Sequence, residues 1–160
     1  MLLSYLGTDD PHAAQSSTPA ALRSLVADAG EHLRTRPAEN EWSVIELVGH
    51  IVDAELVYAG RYRWIISHDE PPLIGYDQDL WAARLGHRQA DPADLLDLFD
   101  AVRHSNLALW KNTAVGNRAR VGQHSERGPE SYELSFRLIA GHDRVHIEQV
   151  RRTLKDVRSR

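Results

Sequence analysis

The stretch from Trp42 to Ser67, WSVIELVGHIVDAELVYAGRYRWIIS, decides the fold. Ser43 and Glu46 have the spacing of a capping box, in which each side chain bonds the other residue's backbone N–H. Trp42 and Leu47 fall at the flanking positions of a hydrophobic staple. From there Leu47, Ile51, Ala54, Tyr58 and Ile65 recur at the helical period on one face. The pattern predicts a long amphipathic helix ending near Ser67. His50 sits on it among Leu47, Ala54 and Val57, about 60° from the centre of the apolar stripe.

Upstream, a first helix is expected from Pro19 to Thr35, with Thr18 as its cap and proline at the first helical position. Leu22, Leu25, Val26, Ala29 and Leu33 form its stripe, and Arg36-Pro37 ends it, since proline disfavours helical geometry in the preceding residue. Downstream, Asp69 to Ala90 is a long connection with Pro71-Pro72 and Gly75, within which Asp77 to Leu85 reads as a short helix. A third helix opens at Asp91-Pro92 and carries Leu95, Leu98, Phe99, Val102, Asn106 and Leu109 on one face. Asn112 to Glu130 reads as loop, bordering the entrance of any site. A fourth helix runs from Ser131 to Asp156. No alternating strand, repeat or low-complexity block is visible. The expectation is an all-α four-helix bundle with a long crossover connection between helices 2 and 3, the third helix running parallel to the second. Residues 1–160 read as a single domain.

Bulk numbers narrow the function. The chain of 160 residues is 42% hydrophobic and 26% charged, ordinary for a globular protein. A net charge of -4, from 19 basic and 23 acidic residues, argues against a nucleic-acid binder. The basic run Arg151, Arg152, Lys155, Arg158 and Arg160 suits a helix C-terminus, where cations oppose the macrodipole. There is no cysteine, which excludes disulfides, thiolate metal sites and a cysteine nucleophile. The first ten residues do not resemble a secretory signal, and no apolar run approaches the roughly 20 residues that span a bilayer. A cytoplasmic protein without membrane association is expected. Nine histidines are the compositional oddity.

Among them, His142 and His146 stand one turn apart on the fourth helix. They lie within about 20° of the centre of the stripe made by Leu138, Ile139 and Val150. With this many histidines, chance supplies roughly half an H-x-x-x-H pair per chain, so the spacing gains meaning only from its inward phase. Two buried imidazoles are hard to satisfy with helix backbone, and a divalent cation resolves that. Adding His50 makes three imidazoles on two inward faces. The other histidines read as structural: His104 on the polar side of the third helix, His32 beside the first stripe, His68 and His87 at the ends of the connection, His12 and His124 in unstructured stretches.

Three motifs together carry a resemblance: Trp42-Ser43-x-x-Glu46-x-x-x-His50, Gly122-x-His124-x-Glu126-x-Gly128, and Ala140-Gly141-His142-Asp143-x-x-His146. They resemble the DinB/YfiT-like superfamily (DNA-damage-inducible B) over about Ala20 to Leu154, and the segment with Trp81 resembles that family's middle connection. The resemblance implies a four-helix bundle, often homodimeric, with one metal ligand on the second helix and two on the fourth. These map onto His50, His142 and His146.

A three-imidazole site leaves the metal its full charge and at least one open coordination position. Zinc and nickel both suit it. Asp53, Asp143, Glu148 and Gln149 are candidates to accept the outer imidazole N–H, although Asp143 points about 100° away from His142 and equally suits a surface salt bridge. Some relatives resemble thiol-dependent transferases, which implies an exogenous low-molecular-weight thiol as co-substrate and a small electrophile as substrate. A metal-activated hydrolase would use the same site, with Glu55 or Asp53 as conceivable bases. Two alternatives stand beside these: a non-catalytic metal-binding stress-response dimer, and a metal-free helical interaction module. Nothing supports nucleotide transfer, for there is neither a carboxylate cluster for two magnesium ions nor a basic strand-binding face.

Overall fold

The computed structural model describes residues 2–160. Its elements are α1 (Leu2–Leu6), α2 (Pro11–Ala29), α3 (Val44–Ser67), β1 (Pro72–Leu73), α4 (Gln78–Arg84), α5 (Pro92–Asn112), β2 (Val121–His124), β3 (Gly128–Ser131) and α6 (Tyr132–Arg158). The four long helices α2, α3, α5 and α6 make the expected bundle.

Caps explain most boundaries. The capping box of Ser43 and Glu46 starts α3, with the Ser43 N–H donating to the Glu46 carboxylate at 2.9 Å. Asp91 and Ser131 cap α5 and α6 through their side chains, and Asp77 caps α4. The first helix is the exception. It begins not at Pro19 but at Pro11, where Asp10 accepts from the backbone N–H of His12 and Ala13. His12 is therefore helical, and Pro19 lies inside α2. A helical proline strands the carbonyl four residues back. Here that is the Gln15 carbonyl, and Arg103 donates to it at 3.1 Å. The helix also stops earlier than expected, passing at Gly30 into a 3-10 turn, Gly30–Arg34.

The chain's order around the bundle is α2, α5, α3, α6, so that α2 lies diagonal to α3 and α5 diagonal to α6, while α3 and α5 are neighbours. Gln15 meets Phe136, Thr18 meets Asp143 and Asp28 meets Arg158, so α2 and α6 run parallel. Arg23 binds Asp97 and Asp100 while Arg103 reaches back to Gln15, so α5 opposes α2. His50 faces His142 and His146 while Tyr62 faces Phe136, so α3 opposes α6. It follows that α3 and α5 are parallel, as the crossover requires.

The connections contain what sequence pattern missed. A three-stranded sheet pairs β1 parallel to β2 and β2 antiparallel to β3, with Leu73 opposite His124 and Val121 opposite Ser131. Thus Asn112 to Glu130 is a 3-10 turn and a hairpin rather than plain loop. Strands of two to four residues are too short to show an alternating pattern.

Two apolar clusters fill the bundle. One holds Leu22, Val48, Ile51, Phe99, Val150 and Leu154. The other holds Tyr62, Ile65, Trp110, Tyr132, Phe136 and Ile139. Several buried polar residues of α3, α5 and α6 gather near the junction of these clusters: His50 and Glu55, Arg103 and Asn106, Asp143. The site occupies that middle layer.

Candidate metal centre

On α3 and α6 a glycine stands beside a candidate ligand, Gly49 before His50 and Gly141 before His142. A Cβ on Gly49 would stand 2.3 Å from Cγ of His87, and one on Gly141 would stand 2.1 Å from the Leu2 carbonyl oxygen. These positions let the crossover pack on α3 and α1 pack on α6, beside His50 and His142.

The three rings converge. His50 Nε2 lies 3.0 Å from His142 Nε2 and 3.2 Å from His146 Nε2. One ligand atom from each lies within 4.8 Å of the others. An ion about 2.0–2.1 Å from each nitrogen would space them by about 2.9–3.4 Å for angles between octahedral and tetrahedral. The two separations from His50 fall in that range.

Protonation strengthens that fit. The His146 Nδ1–H donates to Gln149 Oε1 at 2.8 Å, so Nε2 presents a lone pair. His50 can carry only one proton on Nε2 and cannot satisfy both neighbours with it. Burial, together with His142, His146 and His87, pushes His50 down to about 2. Burial and His142 push His146 down to about 4. Neutral imidazoles with converging lone pairs repel one another unless a cation lies between them. Among the described residues the group has three members, with none from α2 or α5 to close it.

Gln149 thus takes the orienting role expected of it. Asp143 does not lie at the surface. It is 2% exposed, accepts from Arg103 Nη1 at 2.7 Å and from the Thr18 hydroxyl at 2.8 Å. Its other oxygen is 3.9 Å from His142 Nδ1, beyond hydrogen-bond length, and both atoms are buried without a partner. Glu55 is no free base either, since Arg103 and Asn106 bind it. Asp53 accepts from His87 at 2.7 Å, and Glu148 pairs on the surface with Arg151. His87, expected at the end of the connection, and His124, expected in an unstructured stretch, are both buried, and His124 lies on β2.

Two cavities flank the rings. One of about 300 Å³ is lined by Trp42, Asp79, His146 and Gln149. Another of about 200 Å³ reaches His142 and is walled by Tyr76, His124 and Arg127. Gln78 of α4 lines both, so the crossover roofs the centre, and the Asn112–Glu130 segment borders its entrance as expected.

The DinB superfamily profile matches residues 12–150. The chain belongs to the DinB superfamily. A protein of Geobacillus thermodenitrificans, provisionally named a metal-dependent hydrolase, is 32% identical over 141 residues, 86% of this chain and 79% of that one. One of Halalkalibacterium halodurans with the same provisional name is 24% identical over 140 residues, 87% of this chain and 81% of its own. The solved structure of YfiT from Bacillus subtilis, a four-helix bundle of unusual topology, superposes with a TM-score of 0.80 at 21% identity. That match covers 90% of this chain and 85% of YfiT, and it shows the fold. Among the described residues of this DinB-superfamily chain, no helix is long and apolar enough to cross a membrane.

Proposed function

We propose that His50, His142 and His146 hold one zinc or nickel ion, and that the chain is a metal-dependent enzyme transferring a low-molecular-weight thiol to a small electrophile. The convergence of three Nε2 atoms between two cavities carries this reading. A divalent ion bound there supplies Lewis-acid chemistry, favouring the deprotonated form of a thiol or water and polarising a carbonyl.

The protein's own part is orientation and enclosure. Gln149 fixes the His146 ring with Nε2 inward, and Gln78 and Tyr76 cover the approach from solvent. The carboxylates of this layer favour a thiol over water as nucleophile. Glu55, Asp143 and Asp53 all have partners, so none is free to take a proton from water. A thiol, with a pKa of about 8.5, needs less help than water at about 15.7. Hydrolysis, the activity in the relatives' provisional names, is the second reading.

Metal analysis tests the foundation. Purified protein should hold about one equivalent of zinc or nickel, and the His142→Ala variant should hold none. A wild-type protein that neither holds nor takes up metal would favour the metal-free interaction module. Thiol conjugation and ester hydrolysis assays on the loaded protein then separate the two chemistries. Inactivity in both favours a structural ion tying α3 to α6. We further propose a homodimer, supported by exposed Leu56, Trp64 and Ile74 along one groove and checked by sedimentation.

A further inference from the structure

The cavity beside His142 has a second chemical end. Arg61, on α3, is 3% exposed. Its Nη2 donates to the Ile74 carbonyl at 2.7 Å, its Nε is buried without a partner, and it forms no ion pair among the described residues. The guanidinium also meets the Tyr58 ring, whose centroid lies 4.8 Å from its Cζ. A buried guanidinium short of acceptors is still costly, because desolvation is repaid in full only by hydrogen bonds or an opposite charge.

His124, on β2, sharpens the point. Its Nδ1 accepts from the backbone N–H of Glu126 at 3.1 Å and of Arg127 at 3.3 Å. The neutral ring must then carry its proton on Nε2. Burial, with Arg127 and Arg61, keeps that ring's pKa below the usual histidine value. Yet His124 Nε2 lies 3.2 Å from Arg61 Nη2. Two donors face each other with no acceptor between them. Both line the same cavity as His142, with Tyr58 and Tyr76 as its walls. Its one lining carboxylate, Glu126, is exposed, and Arg127 is already paired with Glu130.

We infer that Arg61 and His124 form a receptor for a carboxylate carried by the small molecule that this centre handles. The inference rests on the proposed metal-dependent function and adds a substrate class to it. A cavity of about 200 Å³ spans both ends and limits the ligand to a small molecule, since drug-sized sites run to about 300–1,000 Å³. The carboxylate supplies the missing acceptor for Arg61 Nε and His124 Nε2 while its other end reaches the histidines.

Isothermal titration with matched probes tests this. On zinc-loaded wild type, mercaptoacetate should bind at least about tenfold tighter than the neutral 2-mercaptoethanol, as expected for hydrogen bonds to charge. In Arg61→Gln the two should bind alike, with 2-mercaptoethanol unaffected. Equal affinities in wild type, or a preference that survives in Arg61→Gln, would overturn the inference. If that variant does not fold, Arg61→Lys keeps the charge but loses the fork. It should lose most of the preference, and an unchanged preference there is equally fatal. Acetate titrated into chelator-treated protein reads this end without metal: binding that depends on Arg61 supports the receptor. Its absence, with mercaptoacetate still preferred on the zinc form, places the carboxylate on the thiol. Failure of the metal reading shows separately, as protein that takes up no zinc.

Discussion

Two buried arginines on facing helices have been given opposite surroundings. Arg103 is fully buried and complete: Nε and Nη2 bind Glu55 at 3.0 and 2.8 Å, and Nη1 binds Asp143 at 2.7 Å and the Gln15 carbonyl at 3.1 Å. These partners draw α2, α3 and α6 onto α5. Arg61 has one carbonyl acceptor, the face of the Tyr58 ring, an orphaned Nε and a facing donor. A buried charge with all its partners holds a fold together. One left short of partners awaits something from outside. The histidine cluster belongs with Arg61, since its lone pairs converge on nothing the chain supplies.

Replacing Arg103 with Met should have the largest effect. It leaves Glu55 and Asp143 buried and unpaired, and urea titration should show a loss of about 3–5 kcal/mol. Adding Glu55→Gln and Asp143→Asn should recover part of that loss, because the cost lies in the stranded charges. If Arg103→Met alone leaves stability unchanged, the contrast with Arg61 collapses.

Zinc comes next. At about 100 times its dissociation constant it should add about 2.7 kcal/mol to wild type, with no gain in His142→Ala, as read by thermal melting with and without chelator.

Glu46 offers a comparison nearer the surface. Burial pushes its carboxyl up, but hydrogen bonds from Arg36 and from the Ser43 side chain and backbone outweigh this and bring it from 4.5 down to about 2. A carboxyl held below its unfolded value binds fewer protons when folded, so stability rises with pH across that interval. Glu46 should therefore stabilise fully above about pH 4.5, and its contribution should fade as pH falls through about 2. Urea midpoints between pH 6 and 3 should fall more steeply in wild type than in Glu46→Gln. At neutral pH that substitution should cost about 1 kcal/mol, the size of a cap.

Arg61→Gln should change stability least, by under about 1 kcal/mol, because little in the folded chain depends on its charge. A loss as large as that of Arg103→Met would make Arg61 a structural pillar.

Much of this was legible in sequence. Caps at Ser43 and Asp91 and the helical stripes announced the long helices, because those signals act over three or four residues. The histidines were visible for the same reason. Arg61 and Arg103 also left a trace, since Arg61 lies between Tyr58 and Ile65 and Arg103 between Phe99 and Asn106 at helical spacing. A charge in an apolar stripe shows that something unusual is buried, but not whether it is paired.

Local chemistry, then, set the helices, their starts and the phase that turns His50, His142 and His146 inward. Only the assembled fold decided that Pro19 could sit inside a helix, that Asp143 belongs to Arg103, and that His124 meets Arg61 at the wall of a cavity. In each case the partners come from segments 40 to 90 residues apart. No local periodicity encodes such pairings, because they depend on which helices become neighbours in space.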